Sequence, residues 1–437
     1  MAESAEVLAS PPHRVFSAAP LIRWFPRRGK KAASADSLAL LPLPVQSRTR
    51  LLILQPTPFC NIDCDYCYLP GRDNTAKMGL GTVRLAAQRL LEDALAGPSL
   101  TVVWHAGEPL VMPPDFYRDA FAIVEDVLGA TTQIAHSMQT NATLIDDDWC
   151  EFFQRHAVRV GVSVDGPAAL HDLHRRTRAG KGSHALVLRG LERLRAHAIP
   201  HHAIAVVTQT TLAHADAFFD FFDQQGIRDV GCNFDEAEGP HTSSSLAGRE
   251  EAHAAFLQRL LERSLACGGR VLVRELANAY RLVAEPLPQY VWRGQSWPDN
   301  PQVMPFALLS VAWNGDFSTF SPEWLGQPSA TFGDFVLGNV ALGGYLACAD
   351  AENFQRLWGA VAAGTEACRR GCAWFGFCGG GAPVNKLYEN GDLTSTETLY
   401  CRSMLQRPLD TVLRRIELDG GLPATAAAAP RPPETRS

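Results

Sequence analysis

Gln55-Pro56-Thr57-Pro58-Phe59-Cys60-Asn61-Ile62-Asp63-Cys64-Asp65-Tyr66-Cys67-Tyr68 is the stretch on which the reading of the chain turns. It follows an apolar run, Leu51 to Leu54, that reads as a buried parallel strand, so Cys60, Cys64 and Cys67 fall on the loop leaving its C-terminal end. Active sites of α/β folds are built at that end. Thiolates at C-x3-C-x2-C spacing are soft donors suited to zinc or to an iron–sulfur cluster. A structural zinc takes a fourth ligand, and no His or Cys follows until His105. Three cysteines on a cubane leave one iron open, and an open metal position marks a catalytic centre.

Outward from this loop, strand and helix patterns alternate. Strands are expected over 100–104, 133–139, 158–164, 203–208 and 230–234, and helices over 80–95, 114–128, 146–156, 183–196 and 215–225. Asp146, Asp147 and Asp148 are placed to cap the third helix and Ser183 the fourth. With Leu51–Gln55 this makes six βα repeats, which demand a parallel sheet with right-handed crossovers. A six-stranded partial barrel and a doubly wound sheet both fit the pattern. Two helices follow, over 249–267 and 274–283, and then a Pro/Trp/Gly-rich linker from Leu287 to Gln302. A second domain opens with the apolar run Phe306 to Trp313 and the hairpin signal Asn314-Gly315. The expected division is a flexible extension (1–48), the core (49–240), bridging helices and linker (241–303), the second domain (304–418) and a disordered tail (419–437).

A 46% hydrophobic content in 437 residues supports a globular chain, and a net charge of -6 gives no reason to expect nucleic acid or an anionic membrane as partner. No apolar run reaches the ~18 residues of a spanning helix. The chain has 11 cysteines, an odd count clustered at two sites, which suits metal binding in a reducing cytoplasm better than disulfides.

Polar residues stand at the strand ends, where ligands are expected. His105-Ala106-Gly107-Glu108-Pro109 follows the second strand, Gln139-Thr140-Asn141 ends the third and Ser163-Val164-Asp165-Gly166 the fourth. Read alone, these are also ordinary turns and loop caps. Asp235, Glu236 and Glu238 follow the sixth strand and face the expected cavity mouth, either as candidate bases or as a solvated acidic loop. His105 is a further candidate base. The second thiol group is Cys368-x3-Cys372-x5-Cys378 followed by Cys401, enough for a zinc knuckle or a fully ligated cubane. Cys348 is a minor candidate ligand. Cys150, Cys232 and Cys267, the stripe Phe218, Phe219, Phe221 and Phe222, and the pair His201-His202 read as core or strand residues.

The cysteine loop with its aromatic before Cys67, together with Trp104-His-Ala-Gly-Glu-Pro-Leu, resembles the radical S-adenosylmethionine (radical SAM) family. The second thiol group resembles the SPASM extension of that family's peptide-modifying members. Phe306-Ala-Leu-Leu-Ser-Val, Ser318-Thr-Phe-Ser-Pro-Glu, and Cys378-Gly-Gly-Gly-Ala-Pro-Val-Asn-Lys through Glu397-Thr-Leu-Tyr-Cys401 resemble a narrower set. Its members are the glycine-rich-repeat (GRRM-type) peptide maturases that form three-residue cyclophanes. The resemblance covers residues 50–410. It implies a partial (β/α)6 TIM barrel with a C-terminal SPASM-like iron–sulfur domain. It implies a [4Fe–4S] cluster with an open iron on Cys60, Cys64 and Cys67, and S-adenosylmethionine on that iron. Contacts to this cofactor fall to Ala106, Gly107, Glu108, Asn141, Ser163, Asp165 and Arg175. Ala106 stands where the family has a first Gly, a departure the fold tolerates if its φ is negative.

SPASM proteins usually hold two auxiliary clusters. Here Phe320 and Ala382 stand at expected ligand positions, so one auxiliary [4Fe–4S] cluster is expected, on Cys368, Cys372, Cys378 and Cys401. The implied activity is peptide crosslinking: hydrogen abstraction at a side-chain Cβ and formation of a Cβ–aryl bond. A precursor peptide is the implied substrate and a flavodoxin- or ferredoxin-type reductase the electron donor. The 48 residues before the barrel are too few and too Pro/Ala-rich for a leader-binding winged helix. Thioether-forming maturases share the core, as do anaerobic sulfatase maturases, which place an Asp base where Ser321 stands here. An iron–sulfur scaffold or electron-transfer protein is the non-enzyme alternative.

Overall fold

The computed structural model describes residues 40–44 and 47–421. Residues 1–39, 45–46 and 422–437 carry most of the expected extension and tail, and lie outside the described residues.

Six strands lie side by side in sequence order, all parallel: β1 (Thr49–Leu54), β2 (Ala96–Trp104), β3 (Gln133–Thr140), β4 (Arg159–Ser163), β5 (His201–Val207) and β6 (Asp229–Phe234). Helices follow each of them in the chain, giving the expected partial (β/α)6 barrel. Strand centres such as Leu52, Leu54, Val102, Val160 and Val162 are almost wholly buried, as strands covered on both faces require. The helix Pro114–Leu128 starts on a proline and buries Tyr117, Ala120, Phe121, Val124 and Leu128, a stripe at helical spacing. Trp104 of β2 stacks on Phe121 of this helix, with Tyr117 edge-on. Phe218, Phe219, Phe221 and Phe222 are core residues, as expected.

The sheet does not stop at six strands. β7 (Leu272–Val273) extends it beyond β6. On the other side β8 (Leu308–Val311) pairs parallel with β1, Leu51 opposite Leu308, and β9 (Asp316–Thr319) and β10 (Gly338–Asn339) continue antiparallel. The hairpin expected at Asn314-Gly315 joins β8 to β9, with Gly315 at φ 91°.

Two local expectations are corrected. The stretch 287–302 is not simply linker: Gln289–Trp292 and Gln295–Pro298 form an antiparallel hairpin. Its turn is Arg293-Gly294, both at positive φ (51° and 71°), and Trp292 and Trp297 are buried on it. Ser183 sits at the N-terminus of the helix His184–Ala196 without capping it. Its hydroxyl donates to the Arg175 carbonyl at 2.9 Å and lies 2.9 Å from His171 Nε2. Among the described residues no helix is long and apolar enough to cross a membrane.

Candidate active site

The cysteine loop leaves β1 and is pinned by the turn after β2. Gly107 has φ +58°, and a Cβ there would lie 2.4 Å from both the Thr57 and Phe59 carbonyl oxygens, so only glycine lets the two backbones meet. The Glu108 amide donates to the Phe59 carbonyl at 2.8 Å. Ala106 has φ +72°, so the condition of a negative φ is not met and the alanine sits in left-handed backbone. Within the loop, Cys64 ends a short strand, Ile62–Cys64, paired antiparallel with Arg175–Thr177. Arg178 Nε donates to the Cys60 carbonyl at 2.8 Å and Arg72 Nη1 to the Cys64 carbonyl at 3.2 Å.

The strand-end residues form two buried networks behind this loop. The Glu108 carboxylate is 1% exposed. It accepts from Leu110 N at 2.9 Å, Thr140 Oγ1 at 2.7 Å and Asn141 N at 2.8 Å. Burial pushes its carboxyl up to about 7, against these three donors. Asn141 Nδ2 donates to Asn61 Oδ1 at 2.8 Å and lies 3.7 Å from Cys60 Sγ. In the second network Arg175 grips Asp165 in two hydrogen bonds, 2.9 and 3.0 Å, with Tyr66 donating to the same carboxylate. Burial pushes the Asp165 carboxyl up, but the guanidinium outweighs it and holds it below the usual range. Ser163 accepts from Gln139 Nε2 at 2.9 Å.

A cavity of about 870 Å³ opens in front of these residues, and its wall includes Cys67, His105, Ser163, Glu236, Glu323 and Cys378. His105 Nε2 lies 3.2 Å from the Tyr68 hydroxyl, and burial lowers its imidazole to about 4, so it is neutral at pH 7. Asp235 is turned back onto its own loop, accepting from Ser245 N at 2.7 Å. Glu236 accepts from Asn385 Nδ2 at 2.6 Å, and burial pushes its carboxyl up to about 8. Glu238 and Glu323 are pushed up by burial too, Glu238 further by the charge of Glu323. The Ser321 hydroxyl donates to Glu323.

The second thiol group contributes Cys378 to the wall of the same cavity. Cys368 is in the last turn of the helix Glu352–Gly371 and Cys372 caps it, Cys378 ends the short helix Phe375–Cys378, and Cys401 begins the π-helical stretch Cys401–Gln406. Lys386 Nζ donates to Cys368 Sγ at 3.3 Å and Thr398 Oγ1 to Cys401 Sγ at 3.3 Å. Burial pushes the Cys378 thiol up to about 11, against the amides of Gly380 and Gly381, which donate to it. A Cβ on Gly381 (φ +72°) would lie 3.3 Å from Cys401 Sγ. Phe320 is buried and stacks on Trp358, and Ala382 is 2% exposed. Cys348 is buried elsewhere, its thiol on the Tyr345 carbonyl at 3.1 Å.

Residues 54–222 match the radical SAM superfamily. An uncharacterised protein of Synechocystis, sll1766, is 39% identical over 380 residues, covering 86% of this chain and 94% of that one. The chain belongs to the radical SAM superfamily. A serine-type anaerobic sulfatase-maturating enzyme of Bacteroides thetaiotaomicron is 31% identical over 215 residues, 45% of this chain and 50% of that one. The match thus spans about half of that relative. Among solved structures, anSMEcpe with bound AdoMet and Cp18Cys peptide has the same fold, with a TM-score of 0.68 at 20% identity over 85% of this chain and 99% of that one. Streptococcus suis SuiB bound to precursor peptide SuiA has a TM-score of 0.53 at 15% identity, covering 82% and 76%.

Radical SAM membership implies a [4Fe–4S] cluster and S-adenosylmethionine. The first thiol group fits a cluster. Charge on Cys67 raises both the Cys60 and the Cys64 thiols, so the three sulfurs lie close together on one loop. Burial pushes the Cys60 thiol up to about 11 and the Cys64 thiol to about 12, so loading must displace protons.

The structure gathers His105, Ser163, Arg175, Asp235 and Glu236 around one cavity, and places Glu108 and Asn141 behind the cysteine loop. Sequence reading missed Glu323, Asn385 and Lys386, although all three lie within stretches singled out for their narrow resemblance. It also set His202 aside as a strand residue, whereas its side chain lines the cavity.

Proposed function

We propose that the chain is a radical SAM maturase of a ribosomally made peptide, and that its product carries a Cβ–aryl crosslink of the three-residue cyclophane type. The observation that carries the reading is one cavity whose wall includes a cysteine of each thiol group, Cys67 of the first and Cys378 of the second. When bound, the first cluster and S-adenosylmethionine supply a 5′-deoxyadenosyl radical. Ring closure removes two hydrogens from the peptide: one as an atom taken by that radical, the other as a proton and an electron. Glu236 and Glu323 share the cavity wall, and a carboxylate of this pair that has given up its own proton is placed to receive the one released. Cys368, Cys372, Cys378 and Cys401 would hold an auxiliary cluster, which would supply an acceptor for the electron. The buried aromatic Phe320 and the buried Ala382 fill the positions of further ligands, which supports one auxiliary cluster. The cavity is the room for peptide and cofactor, and a reductase of flavodoxin or ferredoxin type supplies the first electron.

A second reading, formylglycine formation on a sulfatase, is favoured by Glu323. It returns a carboxylate to the cavity two residues beyond the position where the family's base is replaced by Ser321. Co-expression with candidate precursor peptides encoded beside its gene, under low oxygen, separates the readings. A cyclophane lacks two hydrogens, and its fragmentation stops within an aromatic-x-x triplet. A thioether consumes a peptide cysteine and blocks thiol alkylation. Formylglycine reacts with a hydrazide. Peptide recovered unchanged with cofactor-cleaving enzyme would sink the crosslinking proposal.

A further inference from the structure

We infer that Lys386 sets the reduction potential of the auxiliary cluster, holding it high enough to accept the electron released at ring closure; this rests on the auxiliary cluster proposed above. Lys386 lies on the helix Pro383–Asn390 and is 2% exposed. Its Nζ donates to Cys368 Sγ at 3.3 Å, and among the described residues no carboxylate lies within ion-pair distance of it. A lysine charge buried this deeply is costly unless an opposite charge meets it. A neutral cysteine does not provide one; four thiolates around a cluster do. The fold also makes room for this side chain: at Gly364, on the facing helix, a Cβ would lie 3.2 Å from Nζ and 2.0 Å from the Leu393 carbonyl oxygen.

Among the described residues, the other donors to these sulfurs are the Thr398 hydroxyl and the backbone amides of Gly380 and Gly381, all neutral. Lys386 is therefore the donor that brings a full charge. Reduction adds one negative charge to the cluster. A cation hydrogen-bonded to a ligand sulfur stabilises the reduced form more than the oxidised one and raises the potential. The lysine acts through the cluster and is a positioning residue, not a catalytic one.

The test is an anaerobic redox titration of the reconstituted full chain, followed by EPR. Lys386→Met keeps the bulk and removes the charge; Lys386→Gln keeps a donor without the charge. In the methionine variant the reduced-to-oxidised ratio of the auxiliary cluster at a fixed potential should fall at least tenfold, a drop of about 59 mV for a one-electron couple. The glutamine variant should fall between it and the parent. An unchanged midpoint in a methionine variant with full iron overturns the inference. If that variant loses iron, the glutamine variant decides; loss of iron from both makes Lys386 a requirement for assembly and overturns its tuning role. A parent with zinc at this site, or with a single EPR-active cluster, instead overturns the auxiliary-cluster reading.

Discussion

Gly107→Ala tests whether the turn after β2 holds the cysteine loop in place. The new methyl would meet the Thr57 and Phe59 carbonyl oxygens at 2.4 Å and the Pro58 carbonyl carbon at 2.9 Å. All three are backbone atoms, so no side chain can swing away, and the loop itself must move. Overpacking of this kind costs ~1–3 kcal/mol. The left-handed φ of +58° adds ~1–2 kcal/mol for a residue with a Cβ. The sum, ~2–5 kcal/mol, is below the ~5–15 kcal/mol that separates folded from unfolded domains, so the barrel survives and the strain falls on the loop. Ala106→Gly is the matched control. It relieves ~1–2 kcal/mol of left-handed strain, and loses ~0.8 kcal/mol of methyl burial and ~0.4–1 kcal/mol through the unfolded chain. Its net effect lies within ~1 kcal/mol of zero. The assays are urea unfolding, iron per chain after anaerobic reconstitution, and 5′-deoxyadenosine formation. Gly107→Ala should lose iron at the first site and cofactor cleavage, while Ala106→Gly keeps both. A Gly107→Ala protein with full iron and parental cleavage would refute the reasoning.

Replacing Cys60, Cys64 and Cys67 together by Ala should lower reconstituted iron from about eight to about four per chain, if each site holds a cubane, and abolish 5′-deoxyadenosine formation. Cofactor cleavage persisting in that variant would remove the assignment of this loop. Asp165→Asn leaves the buried Arg175 guanidinium without its counter-charge and should cost ~3–5 kcal/mol in urea unfolding; a loss under 1 kcal/mol, the scale of an exposed pair, would mean that the pair is effectively solvated. Glu236 holds its proton up to about pH 8 when folded against an ordinary value of 4.5. The folded state thus binds the extra proton between those values, and its stability falls as pH climbs through that window. Glu236→Gln should flatten this decline in urea midpoints measured from pH 5 to 8, and an unchanged slope would show the carboxyl to be unperturbed.

The barrel was legible because its signals are local. The Val-rich strand 158–164 and the acid-capped helix after Asp146 carry their periodicity and cap within one stretch of sequence; the Asp146 carboxylate accepts from Trp149 N at 3.0 Å. The hairpin at 289–298 was hidden because its turn is Arg-Gly rather than Asn-Gly or Asp-Gly, amid prolines and tryptophans that read as linker. The left-handed φ of Ala106 could not be read because the residue type argues against it; the fold imposes it from neighbouring backbone. Glu323 and Lys386 escaped notice for a different reason. Their environment is tertiary: a carboxylate among Glu236 and Glu238, and an amine on a cysteine eighteen residues away. The cysteine spacings point to metal chemistry, whereas the groups around the metals are assembled only by the fold.

The pairing of β8 with β1 has a consequence for how the chain is made. Leu51 finds its outer-edge partner, Leu308, 257 residues later. At about 5–20 residues per second, synthesis leaves that edge bare for on the order of ten to fifty seconds. During that interval the growing chain exposes the unpaired, apolar edge of Leu51–Leu54, a template for pairing with another nascent chain. Its cysteine loop, meanwhile, has already emerged. Late closure of this kind makes the contact order high and folding slow. A chain cut before residue 304 would keep the bare edge permanently, so truncation should convert this protein from a folded product into an aggregating one even though all six barrel strands remain.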